Sequence, residues 1–223
     1  MTFLPLVLRK LTSLENLNLN FSNMGSFQSK FLNQVFLVLK DQTKPFKNLA
    51  LNFKECAIDF PNPDPISQGL SLIDFSKLQS FKLHFPLNPP SKILEKLTAT
   101  LQASPLQRLD LDFSKEKSRY LVPPQFSLNL QSFQSLSYLT LNPDDLKNGI
   151  PGVGAAIKPL VQLQSLNICF SEQIETRYDS FNQLLKDIDH ELIDFSAGLK
   201  DLQNLKRFSL NLKKTWIFGQ NKP

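Results

Sequence analysis

One eight-residue pattern occurs seven times along the chain and constrains its fold more than any other feature. In LQRLDLDF, large apolar residues occupy the first, fourth, sixth and eighth positions. Consecutive copies begin 27 to 42 residues apart, which is enough for one strand and one helix in each unit. The copies span 14–21, 46–53, 78–85, 106–113, 136–143, 163–170 and 205–212.

The alternation within each copy predicts a short strand with two different faces. Because side chains of a strand alternate between its two sides, Leu109 and Leu111 should face a core while Arg108 and Asp110 face solvent. One such unit cannot cover its own apolar side, but parallel stacking of units about 4.8 Å apart builds a continuous core. We therefore predict an α/β solenoid in which a curved parallel sheet of about seven strands lies inside and helices lie outside.

Connections between the copies carry apolar residues at helical spacing. These residues recur every three or four positions, which places each set on one face of a helix that could cover the sheet. The first set is Phe27, Phe31, Val35 and Leu39, and the second is Leu94, Leu97 and Leu101.

Two connections are longer than a minimal unit needs. In 54–66, proline at alternate positions from Pro61 to Pro65 disfavours a helix and predicts an extended surface loop. In 171–204, apolar residues recur at helical spacing beside several acidic residues, and we interpret the segment as a long outer helix or helix pair. A partner-binding insertion is the alternative for that segment. Its apolar positions are Phe181, Leu184, Ile188, Leu192, Phe195 and Leu199.

The repeated Leu-x-x-Leu-x-Leu pattern resembles that of the leucine-rich repeat family, and the unit length is most similar to the ribonuclease-inhibitor-like subtype. The resemblance covers nearly the whole chain and implies a solenoid that binds other proteins. It is best preserved in NGIPGVGAAIKPLVQLQSLNI. The matching residues there are Asn148, Ile150, Gly154, Ala155, Ile157, Leu160, Leu163, Leu166 and Ile168.

The chain departs from the family pattern at the position where an asparagine usually bonds neighbouring backbone. The seven copies hold other residues there, so the asparagine ladder of the family is missing. One residue earlier, five of the seven copies carry phenylalanine, which predicts an inner edge filled by Phe21, Phe53, Phe85, Phe113 and Phe170.

Charge and cysteine content indicate an intracellular binding protein better than a secreted one. Lys and Arg exceed Asp and Glu by 25 to 20, too mild an excess for an obligate nucleic-acid tail. The only two cysteines, Cys56 and Cys169, form no disulfide framework. The apolar stretch at 3–8 is too short for a signal peptide or a membrane span. We expect a cytoplasmic location; an organelle, reached through a presequence containing Arg9 and Lys10, or a cytoskeletal assembly is the alternative.

The residues do not support three more specific functions, namely metal binding, hydrolysis and dinucleotide binding. His84 and Cys169 share one strand position in different units, but about 14 Å would separate them, so they cannot share a metal ion. Ser80 lies too far along the strand from His84 for a nucleophile and its base. The segment GVGAAI lacks the third glycine of a dinucleotide-binding turn. We therefore expect no enzyme activity, catalytic residue, metal, cofactor or small-molecule substrate.

Binding is expected on the outward positions of the strands, where arginine and aromatic side chains usually carry interface energy. We predict a non-catalytic protein–protein interaction or scaffolding module that forms a subunit of a larger assembly. A solvated sheet with binding elsewhere is one alternative. RNA or acidic-polymer binding through the basic C-terminal region is another. The predicted partner-binding residues are Arg108, Asp110, Asp112, Tyr138, Arg207, Trp216 and Phe218.

The two ends of the array must cover the apolar flanks of the terminal units. The chain is predicted to be a single domain, 1–223, that ends in a tail at 213–223. In that tail, the cluster Trp216–Phe218 either folds back as a makeshift cap or, as we favour, docks on a partner. At the start, a short helix over the first strand is expected from Phe3, Leu4, Val7, Leu8 and Leu11.

Overall fold

The computed structural model of the protein describes residues 3–27, 29–58, 65–85, 93–113, 130–143, 153–175, 192–193 and 195–217. In these ranges strands and helices alternate along the chain. The helices are α1 (Phe3–Lys10), α2 (Ser29–Lys40), α3 (Pro65–Ser71) and α4 (Ile93–Leu101), with further helical residues at 153–157 and 195–200. The strands are β1 (Asn16–Asn20), β2 (Ser26–Phe27), β3 (Asn48–Asn52), β4 (Ala57–Ile58), β5 (Ser80–His84), β6 (Arg108–Asp112), β7 (Tyr138–Asn142), β8 (Ser165–Glu175) and β9 (Arg207–Ile217).

The repeated pattern forms one open parallel sheet, as predicted. Its strand order is β1-β3-β5-β6-β7-β8-β9, and the short strands β2 and β4 pair separately. Each strand pairs with its neighbour at equivalent positions of the pattern, so that Leu49 lies between Leu17 and Phe81. The α/β solenoid with seven parallel strands is thereby confirmed.

The core lies between the sheet and the helices. Its centre is formed by the apolar strand positions of the inner units, where Leu51, Leu83, Leu111 and Leu141 are at most 1% exposed. Helix α2 packs there through the buried positions Leu32, Val35, Phe36, Val38 and Leu39, and helix α4 through Ile93, Leu94, Leu97 and Leu101.

Two glycines allow neighbouring units to pack closely on the helical side. A Cβ atom on Gly69 of α3 would lie 2.0 Å from the ring of Phe36 in α2. A Cβ atom on Gly198 would lie 2.5 Å from the carbonyl oxygen of Gly154. Any larger residue would push these helical segments apart. None of the helices in the described ranges is long and apolar enough to cross a membrane.

Several boundaries differ from those predicted. In the connection 54–66, predicted to be an extended loop, β4 occupies two residues and Pro65 begins α3, a position where proline needs no hydrogen-bond partner. Strands β8 and β9 continue five residues beyond the repeat motif, because the two extensions pair with each other up to Glu175 and Ile217. Three of the six predicted apolar positions within 171–204 lie outside the described residues. Of the other three, Phe195 is buried, and Leu192 and Leu199 are partly buried against the core.

The two ends of the sheet differ in how well they are covered. Helix α1 forms as predicted and buries Leu8, but Phe3 is 75% exposed and does not contribute to the cap. At the other end Phe208 of β9 is 46% exposed, whereas Leu166, its neighbour in β8, is 1% exposed. The apolar side of β9 is therefore only partly covered at Phe208.

Candidate functional site

The side of the sheet that faces away from the helices carries three rows of mostly polar side chains, which we call the strand face. Parallel pairing in constant register places equivalent residues of successive strands side by side. The first row is Asn16, Asn48, Ser80, Arg108, Tyr138, Ser165 and Arg207; the second is Asn18, Ala50, Lys82, Asp110, Thr140, Asn167 and Ser209; the third is Asn20, Asn52, His84, Asp112, Asn142, Cys169 and Asn211.

Two arginines of the first row converge on one tyrosine. The guanidinium carbon of Arg108 lies 4.7 Å from the centroid of the Tyr138 ring, and that of Arg207 lies 5.6 Å from the same centroid. Arg207 reaches the ring from two strands away because the intervening residue, Ser165, is small. These distances fit cation–π contacts. We call Arg108, Tyr138 and Arg207 the arginine–tyrosine cluster.

Two carboxylates on or beside the strand face, Asp110 and Glu15, already have basic partners. In the second row, Lys82 Nζ lies 3.0 Å from Asp110 Oδ2. At the start of the sheet, Lys47 Nζ lies 2.7 Å from Glu15 Oε2, and the hydrogen bond and charge of Lys47 lower the pKa of Glu15. Within the described ranges, no salt bridge joins Arg108 or Arg207 to a carboxylate. The cluster is therefore a local excess of positive charge.

The third row holds a partly buried histidine beside a carboxylate. His84 Nδ1 lies 3.8 Å from Asp112 Oδ2, which is too long for a hydrogen bond. Burial lowers the pKa of His84, and the negative charge of Asp112 opposes this shift. The imidazole is therefore neutral near pH 7. Among the residues that the structure describes, no three His, Cys, Asp or Glu side chains gather as a metal ligand set.

A shallow groove runs along the strand face from β1 towards the cluster. Its volume is about 410 Å³. Asn16, Asn18 and Ala50 line one end, and Arg108 and Asp110 line the other. The amide of Asn48 donates a hydrogen bond to Asn16 Oδ1, which orders the asparagine side chains at the first end. An extended segment lying in this groove would thus reach Arg108.

No family model, curated protein or solved structure matches this chain. The function must therefore be inferred from the geometry and chemistry of the site.

The predicted partner-binding residues separate into three groups. Arg108, Tyr138 and Arg207 come together in the cluster. The aspartates lie beside basic side chains, Asp110 with Lys82 and Asp112 with His84. In β9, Trp216 pairs in register with Ile174, so it belongs to a strand and not to a tail beyond the strand. Phe218 lies outside the described residues.

A second groove was not anticipated from the sequence. It has a volume of about 640 Å³ and lies where the turns before β7, β8 and β9 approach each other. Ala155, Val161 and Gln203 are among its lining residues, together with the charged Lys158 and Asp201. No local sequence signal could have revealed it, because its residues come from three different units. Its volume exceeds that of the first groove, and its described lining residues form no cluster comparable to the arginine–tyrosine cluster.

Proposed function

We propose that this protein is a leucine-rich repeat module, similar to the ribonuclease-inhibitor-like subtype, that binds a protein partner through its strand face. It has no catalytic role and acts as a subunit of a larger assembly. The observation that carries this proposal is the arginine–tyrosine cluster on the first row. Arginine and tyrosine are among the residues that contribute most to binding energy at protein interfaces.

The two arginine side chains of the cluster are also held in place, which favours binding at an interface. Contacts with the Tyr138 ring restrict both arginine side chains before any partner arrives. Side chains that are held in place lose less conformational entropy on binding than free ones do. The strands beneath the cluster are rigid elements of a buried core, so the positions of the three residues are well defined.

The cysteines support an intracellular setting for this function. Cys56 is buried and Cys169 lies on the strand face, and neither is in a disulfide bond. Free, unpaired cysteines are typical of proteins in reducing compartments.

RNA binding through the basic C-terminal region is the second candidate. Lys206 and Arg207 are exposed, and Lys213 and Lys214 follow in the same edge strand. Register pairs Lys214 with Glu172 of β8, however, so an acidic position lies next to the basic stretch in the sheet. An RNA backbone binds best to an unbroken track of cations, which favours the protein partner.

Site-specific photo-cross-linking in native extract tests the proposal. A photoreactive phenylalanine analogue replaces Asn167, an exposed residue of the second row, and in a control replaces Gln34, an exposed residue of α2. We expect discrete protein adducts from the Asn167 variant and none of them from the Gln34 variant. Identical adducts from both positions, or none from Asn167, would contradict the proposal. Adducts that disappear on ribonuclease treatment would favour the RNA candidate.

A further inference from the structure

We infer that the arginine–tyrosine cluster is a binding site for the carboxylate side chains of an acidic segment in the partner protein. This inference rests on the proposed function, since it names the chemistry of the partner that the strand face would bind. It concerns a defined site of three residues, whereas the proposed function concerns the whole strand face.

The two guanidinium groups retain their hydrogen-bonding capacity. A guanidinium carries five N–H donors in its plane, and stacking on an aromatic ring uses the face of the group and not its edge. Arg108 and Arg207 are exposed, and neither forms a salt bridge with a carboxylate of the described residues. Each arginine can therefore bind a carboxylate in a bidentate manner.

Charge explains why an anion is the expected ligand. Two positive groups lie within 5.6 Å of the centroid of one ring, and they repel each other in the free protein. Elsewhere on the strand face Lys82 is neutralised by Asp110, and before the first strands Lys47 is neutralised by Glu15. An anion between the arginines would relieve this repulsion, and no carboxylate of the described residues forms a salt bridge with either arginine.

The surroundings favour carboxylates of a protein over the phosphates of a nucleic acid. A nucleic-acid backbone needs a series of cations along its path, but here the cations form one point contact. Asp112 lies on the same strand as Arg108 and repels any anion placed beside it, so a few separate carboxylates fit this surface better than an unbroken chain of phosphates. A short acidic peptide segment meets both conditions.

Fluorine NMR of protein labelled with 3-fluorotyrosine tests the site directly. The chain has three tyrosines, Tyr120, Tyr138 and Tyr178, so the Tyr138 resonance can be assigned from the Tyr138→Phe variant and the other two serve as internal controls. The probes are N-acetylated, C-amidated tetraglutamate, its tetraglutamine counterpart and oligouridylate. Titrations are run at physiological ionic strength, which screens long-range attraction.

We expect tetraglutamate, but not tetraglutamine, to shift the Tyr138 resonance in a saturable way. Arg108→Gln and Arg207→Gln should each weaken this binding about tenfold or more, because each removes a charged hydrogen-bond donor group. Lys40→Gln removes an equal charge from the distant end of α2 and should change the affinity less than about twofold. Thermal melts of the variants establish that they remain folded.

Several outcomes would overturn the assignment. Absence of a Tyr138 shift with tetraglutamate would do so, as would an equal shift with tetraglutamine or an unchanged affinity in both arginine variants. Tighter binding of oligouridylate through the same two arginines would assign the site to RNA. Failure here is distinguishable from failure of the proposed function, because cross-linking at Asn167 reports on the strand face without requiring carboxylate binding.

Discussion

The ring of Phe85 stacks on the ring of Phe113, with centroids 3.9 Å apart and planes 14° from parallel. Phe21 and Phe53 stack in the same way at 5.3 Å. The backbone N–H of Phe85 also donates to the carbonyl of Asp112, which continues the strand ladder by one residue. Phenylalanine thus forms the inner edge one residue before the position of the asparagine ladder in the leucine-rich repeat pattern, and the predicted Phe-filled edge is confirmed at these residues.

Phe85→Ala should destabilise the protein by about 3–5 kcal/mol, because it removes a large buried side chain and leaves a cavity beside Phe113. Phe3→Ala makes the same chemical change at a residue that is 75% exposed, and it should change the free energy of unfolding by about 0.5 kcal/mol or less. Urea denaturation measures both variants. Equal stabilities would show that the phenylalanine edge does not contribute to the core as described.

Leu111→Asn should be strongly destabilising, by a few kcal/mol or more, since it loses apolar burial and places an amide without partners in the core. Asp110→Asn, one residue away on the strand face, should cost about 1 kcal/mol or less, because it weakens only a partly exposed salt bridge with Lys82. Thermal melting compares the two variants. A melt of Leu111→Asn that overlays the wild type would refute the strand register.

Stability should fall as the pH drops below about 6.5, and His84 should contribute to this loss. Burial lowers the pKa of His84 in the folded state, so the unfolded chain takes up the proton first as the pH falls. Stability is then lost between the ordinary histidine pKa and the lower folded value, and the effect levels off below the latter. Urea denaturation at a series of pH values measures the slope.

Two variants test the assignment of that slope to His84. His84→Gln should remove its contribution. Asp112→Asn should lower the pKa of His84 further and extend the loss to lower pH, because the opposing negative charge is gone. A slope that is unchanged in His84→Gln would mean that another group causes it.

The two thiols should differ in reactivity. Cys56 is fully buried, its S–H donates to the carbonyl oxygen of Phe21 at 2.7 Å, and burial raises the pKa of the thiol. Reaction requires the thiolate and access to the reagent, so Cys56 should react only as fast as the fold opens. Cys169 lies on the strand face and should react first with Ellman's reagent. If Cys169→Ser retained a rapidly reacting thiol, the burial of Cys56 would be wrong.

Truncation after Leu212 should lower the melting temperature, because it deletes the paired extension of β9 and leaves the extension of β8 without a neighbour. A loss of about 1 kcal/mol would correspond to about 2–4 °C for a chain of this size. Deletion of 218–223 alone keeps β9 whole and serves as the comparison. Equal melting temperatures for the two truncated proteins would contradict the pairing of Lys213 to Ile217 with β8.

The sequence was sufficient to locate the seven repeat strands and the face that each presents, although not β2, β4 or the extensions of β8 and β9. This information is local: a period of two within each copy places Leu109 and Leu111 on one side and Asp110 on the other. Because the copies are alike, their apolar residues share one core only when equivalent positions of neighbouring strands pair. This requirement sets the register. The same reasoning placed Arg108, Tyr138 and Arg207 in one row, although it did not bring them into contact.

Tertiary structure decided what depends on residues from several units. Arg207 reaches Tyr138 only because β9 follows β8 in the sheet and Ser165 between them is small. Likewise, Gly69 sits against Phe36 because α3 packs closely on α2, and nothing in either segment indicates this contact. A repeating pattern predicts on which side of a strand each residue lies, because that depends on local backbone geometry. Whether a side chain contacts a residue on another strand also depends on the sizes and charges of residues from distant parts of the chain. That contact is therefore decided only when those parts pack together.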